Sequence, residues 1–242
     1  MIRLFILLIL LLALPTHAGW YAGFVQAPPK VRGSITQTAF VSTQGTGCGP
    51  VNGIVTSPSF TPGANDLIVL ACNAGTNTEF TPSSSAGLTF TERVRYSNAA
   101  LVVIWTAPSV STASQTVTCT GDATFNSGLF VWSLAGHEGV AQTVTAHIPS
   151  AQGAPILFEN TTIRSWLISV GWNYTSVRPL SAESGSTNVL GGSTTYDDCH
   201  ASTLWALRAT TPSSVGGNVT VSGLYGVSGQ ESGIAGIEIY AY

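Results

Sequence analysis

The chain has 242 residues, only 8% of them charged, and its 8 Lys and Arg face 11 Asp and Glu for a formal net charge of −3. An average globular protein carries roughly 25% charged residues, and a chain this poor in cations has no stripe to follow a phosphate backbone, which argues against nucleic acid as a partner. Disorder is disfavoured too, because 44% of the residues are hydrophobic and they gather in strand-length runs.

The first residues have the layout of a targeting segment. Arg3 supplies the positive start, residues 4–14 are uninterruptedly apolar, Pro15 breaks the run, and Thr16-His17-Ala18 forms a small-residue cleavage site before Gly19. The apolar run is short of the ~20 residues that a spanning helix needs. We therefore expect residues 1–18 to be a secretory signal that is cleaved, with retention as an anchor as the alternative. Cleavage leaves no membrane span, places the protein outside the cell, at a cell surface or in a periplasm, and removes one positive charge.

Residues 19–33 hold Pro28-Pro29 and little periodicity, so they read as a lead-in. Strands are predicted over 36–43 and 54–60, then over the wholly apolar run Leu67-Ile68-Val69-Leu70-Ala71-Cys72, which reads as a central strand buried on both faces. Further strands are predicted over 88–96, 101–107, 115–120 and 129–134. The loop Ala135-Gly136-His137-Glu138-Gly139 separates these from strands over 141–148, 156–162, 165–174, 202–209, 218–224 and 234–242. No segment after Gly19 has a convincing helical period, and many short strands between turn signals indicate a sandwich or barrel.

The second half echoes the first at an offset near 100. Leu67-Ile68-Val69-Leu70-Ala71-Cys72 returns as Leu167-Ile168-Ser169-Val170-Gly171-Trp172, Trp105 returns as Trp205, and Ser127-Gly128-Leu129-Phe130-Val131-Trp132 returns as Ser232-Gly233-Ile234-Ala235-Gly236-Ile237. Drifting offsets are what loop insertions between repeated strands produce. The expected fold is all-β: one β-sandwich over 34–242, of jelly-roll or immunoglobulin-like character, built from similar halves 34–140 and 141–242, with Trp105 and Trp205 in a common core. Two tandem domains are the alternative. No polar linker separates the halves, which favours one body.

Export makes two disulfides the economical reading of four cysteines. Cys72 and Cys119 are both absent from the second copy, where Trp172 and Val221 stand, as expected if they bond each other. Cys48 then pairs with Cys199. No C-x-x-C or H-x-x-x-H spacing supports zinc.

The succession Ala39-Phe40-Val41-Ser42, Phe60-Thr61-Pro62-Gly63-Ala64-Asn65-Asp66-Leu67-Ile68-Val69, Gly87-Leu88-Thr89-Phe90-Thr91-Glu92-Arg93-Val94, Ile104-Trp105-Thr106-Ala107 and Val117-Thr118-Cys119 resembles a loose group of exported bacterial and phage-associated β-sandwich proteins. The resemblance implies a sandwich with a surface, adhesive or virion-type structural role. It carries no site residues across.

Catalytic chemistry has few groups to draw on. His137-Glu138 begins like a zinc-protease motif, but Ala141 occupies the position of the second histidine. There is no G-x-S-x-G nucleophile elbow. A glycosidase needs two facing carboxyl groups, and Glu138 with Glu238 is the conceivable pair. Strand alternation sets Glu238 and Tyr240 opposite Ile237 and Ile239, where the simpler reading is the solvated face of an edge strand. No catalytic residue is assigned.

The densest polar cluster is Tyr196-Asp197-Asp198-Cys199-His200. Its carboxylates could serve calcium, which takes oxygen ligands, form ordinary turns, or hydrogen-bond sugar hydroxyls beside an aromatic ring. The expected binding residues are Tyr174, Tyr196, Asp197, Asp198 and His200, and the expected partner is a glycan, a cell surface or a virion. No cofactor is expected beyond calcium as an option. Trp166 and Trp172 are expected core fillers. Asn160-Thr161-Thr162, Asn173-Tyr174-Thr175 and Asn218-Val219-Thr220 match the N-glycosylation pattern, which an Asn- and Thr-rich chain also generates by chance.

Overall fold

The computed structural model describes residues 33–44, 53–74, 79–98, 100–121, 127–151, 155–162, 164–173, 181–182, 189–194, 203–210, 217–221, 223–224 and 230–241. The expected signal and lead-in fall outside them, as do Cys48 and Cys199. Every described secondary-structure element is a strand. In chain order these are β1 (Thr36–Gln44), β2 (Gly53–Thr56), β3 (Leu67–Ala74), β4 (Phe80–Ser84), β5 (Thr91–Asn98), β6 (Ala100–Pro108), β7 (Val117–Gly121) and β8 (Ser127–Ala135). After the bend at Gly136 follow β9 (Gly139–Ala151), β10 (Ile156–Phe158), β11 (Trp166–Asn173), β12 (Ser181–Ala182), β13 (Val189–Thr194), β14 (Thr203–Thr210), β15 (Val219–Val221), β16 (Gly223–Leu224) and β17 (Gln230–Tyr240).

All pairings are antiparallel. One five-stranded sheet has the order β1-β8-β3-β6-β5 and another the order β13-β14-β11-β17-β9; the smaller sheets are β2-β7-β4, β10-β15 and β12-β16. Among the described strands, no sheet mixes members from the two sides of Gly136. That residue has φ +73, and a Cβ on it would lie 2.5 Å from the Ser34 carbonyl oxygen, so only glycine fits the bend.

Strand alternation sorts the apolar residues into three cores. Leu67, Val69, Val102, Ile104, Phe130 and Trp132 face Ile168, Val170, Ala206, Ile237 and Ile239, which seals the two five-stranded sheets face to face. The other face of the first sheet, with Ile68, Leu70, Cys72, Val103 and Trp105, packs on Val55, Phe80, Val117 and Cys119 of β2, β4 and β7. The other face of the second sheet, with Leu167 and Ile234, packs on Ile156, Phe158 and Val221. The described body is thus four sheet layers, and β3 is buried at all eight positions because it lies between neighbours on both sides and both faces.

Several expectations are refined by this arrangement. Trp166 and Trp172 are core fillers as expected. Trp105, however, points to the outer core of the first sheet, away from the second, because its neighbours Ile104 and Thr106 take the opposite face; the side chain of Trp205 is outside the described set. The strand expected over 54–60 stops at Thr56, and after Pro58 only a single bridge, Phe60 to Gln115, remains. β4 was not foreseen, since Pro82 reads as a breaker. It is tolerated because β4 is an edge strand.

Cys72 of β3 and Cys119 of β7 form a disulfide with Cα atoms 6.6 Å apart. Both are fully buried, so the bond ties the first five-stranded sheet to its three-stranded cover. No helix among the described residues is long and apolar enough to cross a membrane.

Candidate functional site

Tyr174, Tyr196, Asp197, Asp198 and His200 all lie outside the described residues. Their anchor points are described. Asn173 pairs with Thr203, and Thr194 pairs with Leu204, so the segments that carry these residues leave the second sheet from adjacent strand ends.

The carboxylates that are described show what the fold does with its scarce charge. Asp66, 1% exposed, precedes β3 and directs one oxygen, Oδ2, at three donors: the Gly63 amide at 2.7 Å, Ser133 Oγ of β8 at 2.6 Å, and Thr38 Oγ1 of β1. Its own carbonyl accepts the Ser109 amide at 2.7 Å. Glu238, also 1% exposed, sits on β17 and accepts from Gln142 Nε2 of β9 at 2.5 Å and from the Thr162 amide at 2.5 Å. Each carboxylate therefore ties a strand to a sheet edge and to a loop, and burial is compensated by donors rather than by a cation.

This corrects the reading of Glu238 as a solvated edge residue. β17 is interior, flanked by β11 and β9, and the carboxylate is enclosed between the second sheet and its cover. Glu138 is partly exposed after the Gly136 bend, its amide bonded to the Tyr240 carbonyl at 2.9 Å. Nearby, His137 places Nε2 3.1 Å from the Asn65 carbonyl, and His137 and Glu138 occupy a non-strand connection between β8 and β9. Among the described residues no group of three or more His, Cys, Asp or Glu is arranged to hold a metal ion.

Surface charge concentrates on β5. Arg95 bonds Glu92 and, at 2.7 Å, Glu79. The guanidinium hydrogen bond holds the Glu92 carboxyl below its ordinary value against a smaller opposing effect of burial, and the same bond raises Arg95. Tyr96, next on that strand, stacks on His147 of β9 with its hydroxyl 2.5 Å from Nδ1.

The outer face of β2-β7-β4 is different: among the described residues of these three strands it carries no ionisable side chain. The register aligns Ile54, Thr120 and Thr81 in one row across the strands and Thr56, Thr118 and Ser83 in the next. The odd-numbered partners Val55, Val117 and Cys119 point inward. Thr56 and Thr118 hydroxyls share a 2.8 Å bond, and Ser59 and Ser114 another at 2.5 Å. This is a surface of hydroxyls and methyls, tied from beneath to the first sheet by the disulfide. It suits contact with neutral polar surfaces and offers no acid, base or nucleophile with an activating partner. Sequence reading missed it because alternating Thr and Ser is also ordinary strand surface; the signal was the in-register alternation in Val117-Thr118-Cys119-Thr120.

No family model matches the chain, and no curated protein or solved structure matches it either. The functional reading rests on the residues themselves.

Proposed function

We propose that the chain is a secreted, non-enzymatic β-sandwich module with a surface, adhesive or virion-type structural role, in contact with glycans. The observation that carries this reading is the fate of its carboxylates. Asp66 and Glu238 are spent on holding strands and loops together, while the described exterior presents hydroxyl rows with little charge. Glu238 is buried and bonded to the Gln142 side chain and the Thr162 amide, which supports a framework role over hydrolysis.

The framework itself we read as two jelly-roll-like halves. The strand orders β1-β8-β3-β6-β5 and β9-β17-β11-β14-β13 follow one scheme, and the cover strands β2-β7-β4 have their counterparts in β10-β15 and β12-β16. Placing Trp105 on Trp205 carries their pairing partners, Leu70 and Gly171, onto each other. The expected binding residues Tyr174, Tyr196, Asp197, Asp198 and His200 are the glycan contacts of this reading.

The test is a panel of surface glycans offered to the purified full-length protein, with retention and product release recorded together. Retained, intact glycan supports the reading. Turnover would replace it with a hydrolase, and Glu238→Gln would then have to abolish that turnover for the Glu138 and Glu238 pair to be responsible.

A further inference from the structure

We infer that the Asp66 and Glu238 clasps are one device built twice, in which the carboxylate has changed strands, and that each needs one carboxylate, from either strand, to fix the register of its half. The inference rests on the reading of two like halves. Residues 63–66 and 162–165 make the same turn: Asn65 and Arg164 have φ 61 and 60°, and the amides of Asp66 and Ser165 each reach back to the carbonyl three residues before, at 3.4 Å. Each turn feeds the central strand of a five-stranded sheet, β3 or β11.

The neighbouring strands agree. Leu67 pairs with Leu134 of β8, and Trp166 pairs with Ile239 of β17. Against β1 and β9 the ladders skip one residue at the same point. Thr38 is the extra residue between the partners of Ser133 and Leu134, and Ala141 is the extra residue between the partners of Glu238 and Ile239. Turn, pairing and bulge together set Gly63 on Thr162, Asp66 on Ser165 and Ser133 on Glu238. This register moves Trp205 from Trp105 onto Val103, two residues along the same face.

At the matched positions an acid and a serine have traded places. Asp66 precedes β3 and meets Ser133 of β8 in the first half, whereas Ser165 precedes β11 and Glu238 lies on β17 in the second, and all four are buried. The donors keep their places. The Gly63 amide reaches Asp66 Oδ2 at 2.7 Å, and the matched Thr162 amide reaches Glu238 Oε1 at 2.5 Å. Thr38 Oγ1 donates to Asp66 from one bulge, and Gln142 Nε2 donates to Glu238 from beside the other. Such a set of donors calls for a single acid, since none leaves them unpaired and two repel each other. A slip of one residue turns every side chain to the other face, so a clasp that joins turn, strand and bulge holds the register.

Asp66→Ser/Ser133→Glu copies the second arrangement into the first half, and Ser165→Asp/Glu238→Ser copies the first into the second. Thermal melts of the full chain, beside the four single variants, are the test. Each single variant has no carboxylate or two in its clasp and should melt about 5 °C or more below the wild type, whereas a pair should melt well above its worse single. Recovery in either pair supports the inference. Recovery in neither overturns it, as does Asp66→Ser or Glu238→Ser melting like the wild type. A crystal structure of the wild type reports on the like halves separately: turns 63–66 and 162–165 that fail to superpose with their strands remove that reading, while superposed turns without recovery overturn the exchange alone.

Discussion

Ser133 Oγ donates to Asp66 Oδ2 at 2.6 Å, fully enclosed between the first sheet and the loop that feeds it. Because the Gly63 amide and Thr38 Oγ1 aim at the same oxygen, the pair is the centre of a three-donor clasp. Asp66→Ala leaves buried donors unsatisfied and should cost about 3 kcal/mol, within the range for hydrogen bonds to a charged group. Asp66→Asn can turn its carbonyl to the same donors and should cost less. Denaturant melts of the two variants check the order.

Gly233 on β17 lies beneath the Tyr96 ring, where an added Cβ would come within 2.1 Å of Cε1. Gly233→Ala should therefore destabilise by about 1 to 3 kcal/mol through overpacking. In a Tyr96→Ala background the ring is gone and the same substitution should cost little. Thermal melts of the double-mutant cycle measure this coupling, and additive costs would mean that the two elements do not meet.

The Cys72 to Cys119 bond closes a separation of 47 residues. The chain-entropy model gives about 4 kcal/mol for a loop of that size. Cys72→Ala/Cys119→Ala should lower the melting temperature accordingly. Non-reducing peptide mapping checks the connectivity directly, and should also recover the Cys48 to Cys199 peptide expected from the sequence.

Glu92 has its carboxyl pKa lowered by Arg95, so the ion pair adds stability above the unfolded-state carboxyl pKa, and that contribution disappears as pH falls through the folded-state value. With the Glu92 side chain 40% exposed, solvent screening keeps the effect under about 1 kcal/mol. The difference in melting temperature between wild type and Glu92→Gln should be small at neutral pH, shrink on acidification below the carboxylate range, and shrink with added salt.

The all-β class, the central position of β3 and the Cys72 to Cys119 pair were legible because each is written locally: an apolar run on both faces, and two cysteines missing together from the repeat. The layer arrangement was not. A strict offset of 100 sets Leu67 on Leu167, yet Leu67 faces the central core and Leu167 an outer one, since a shift of one residue flips a strand's faces. On the proposed reading of two like halves, setting Trp105 on Trp205 brings Leu70 onto Gly171, an odd offset that comes from the strand pairing and not from the sequence. Glu238 was misplaced for a related reason: whether a strand is interior depends on strand order, and β9 and β11 flank β17 from distant parts of the chain.

The claim that this protein works by contact and not by catalysis is tested most directly by attachment of Tyr196→Ala/Asp198→Ala to the glycan or surface that retains the wild type, measured beside the melting temperature and product release. The account expects weakened attachment, an unchanged melt and no product from either protein. Product released by the wild type, or attachment by the variant at wild-type strength, would contradict it.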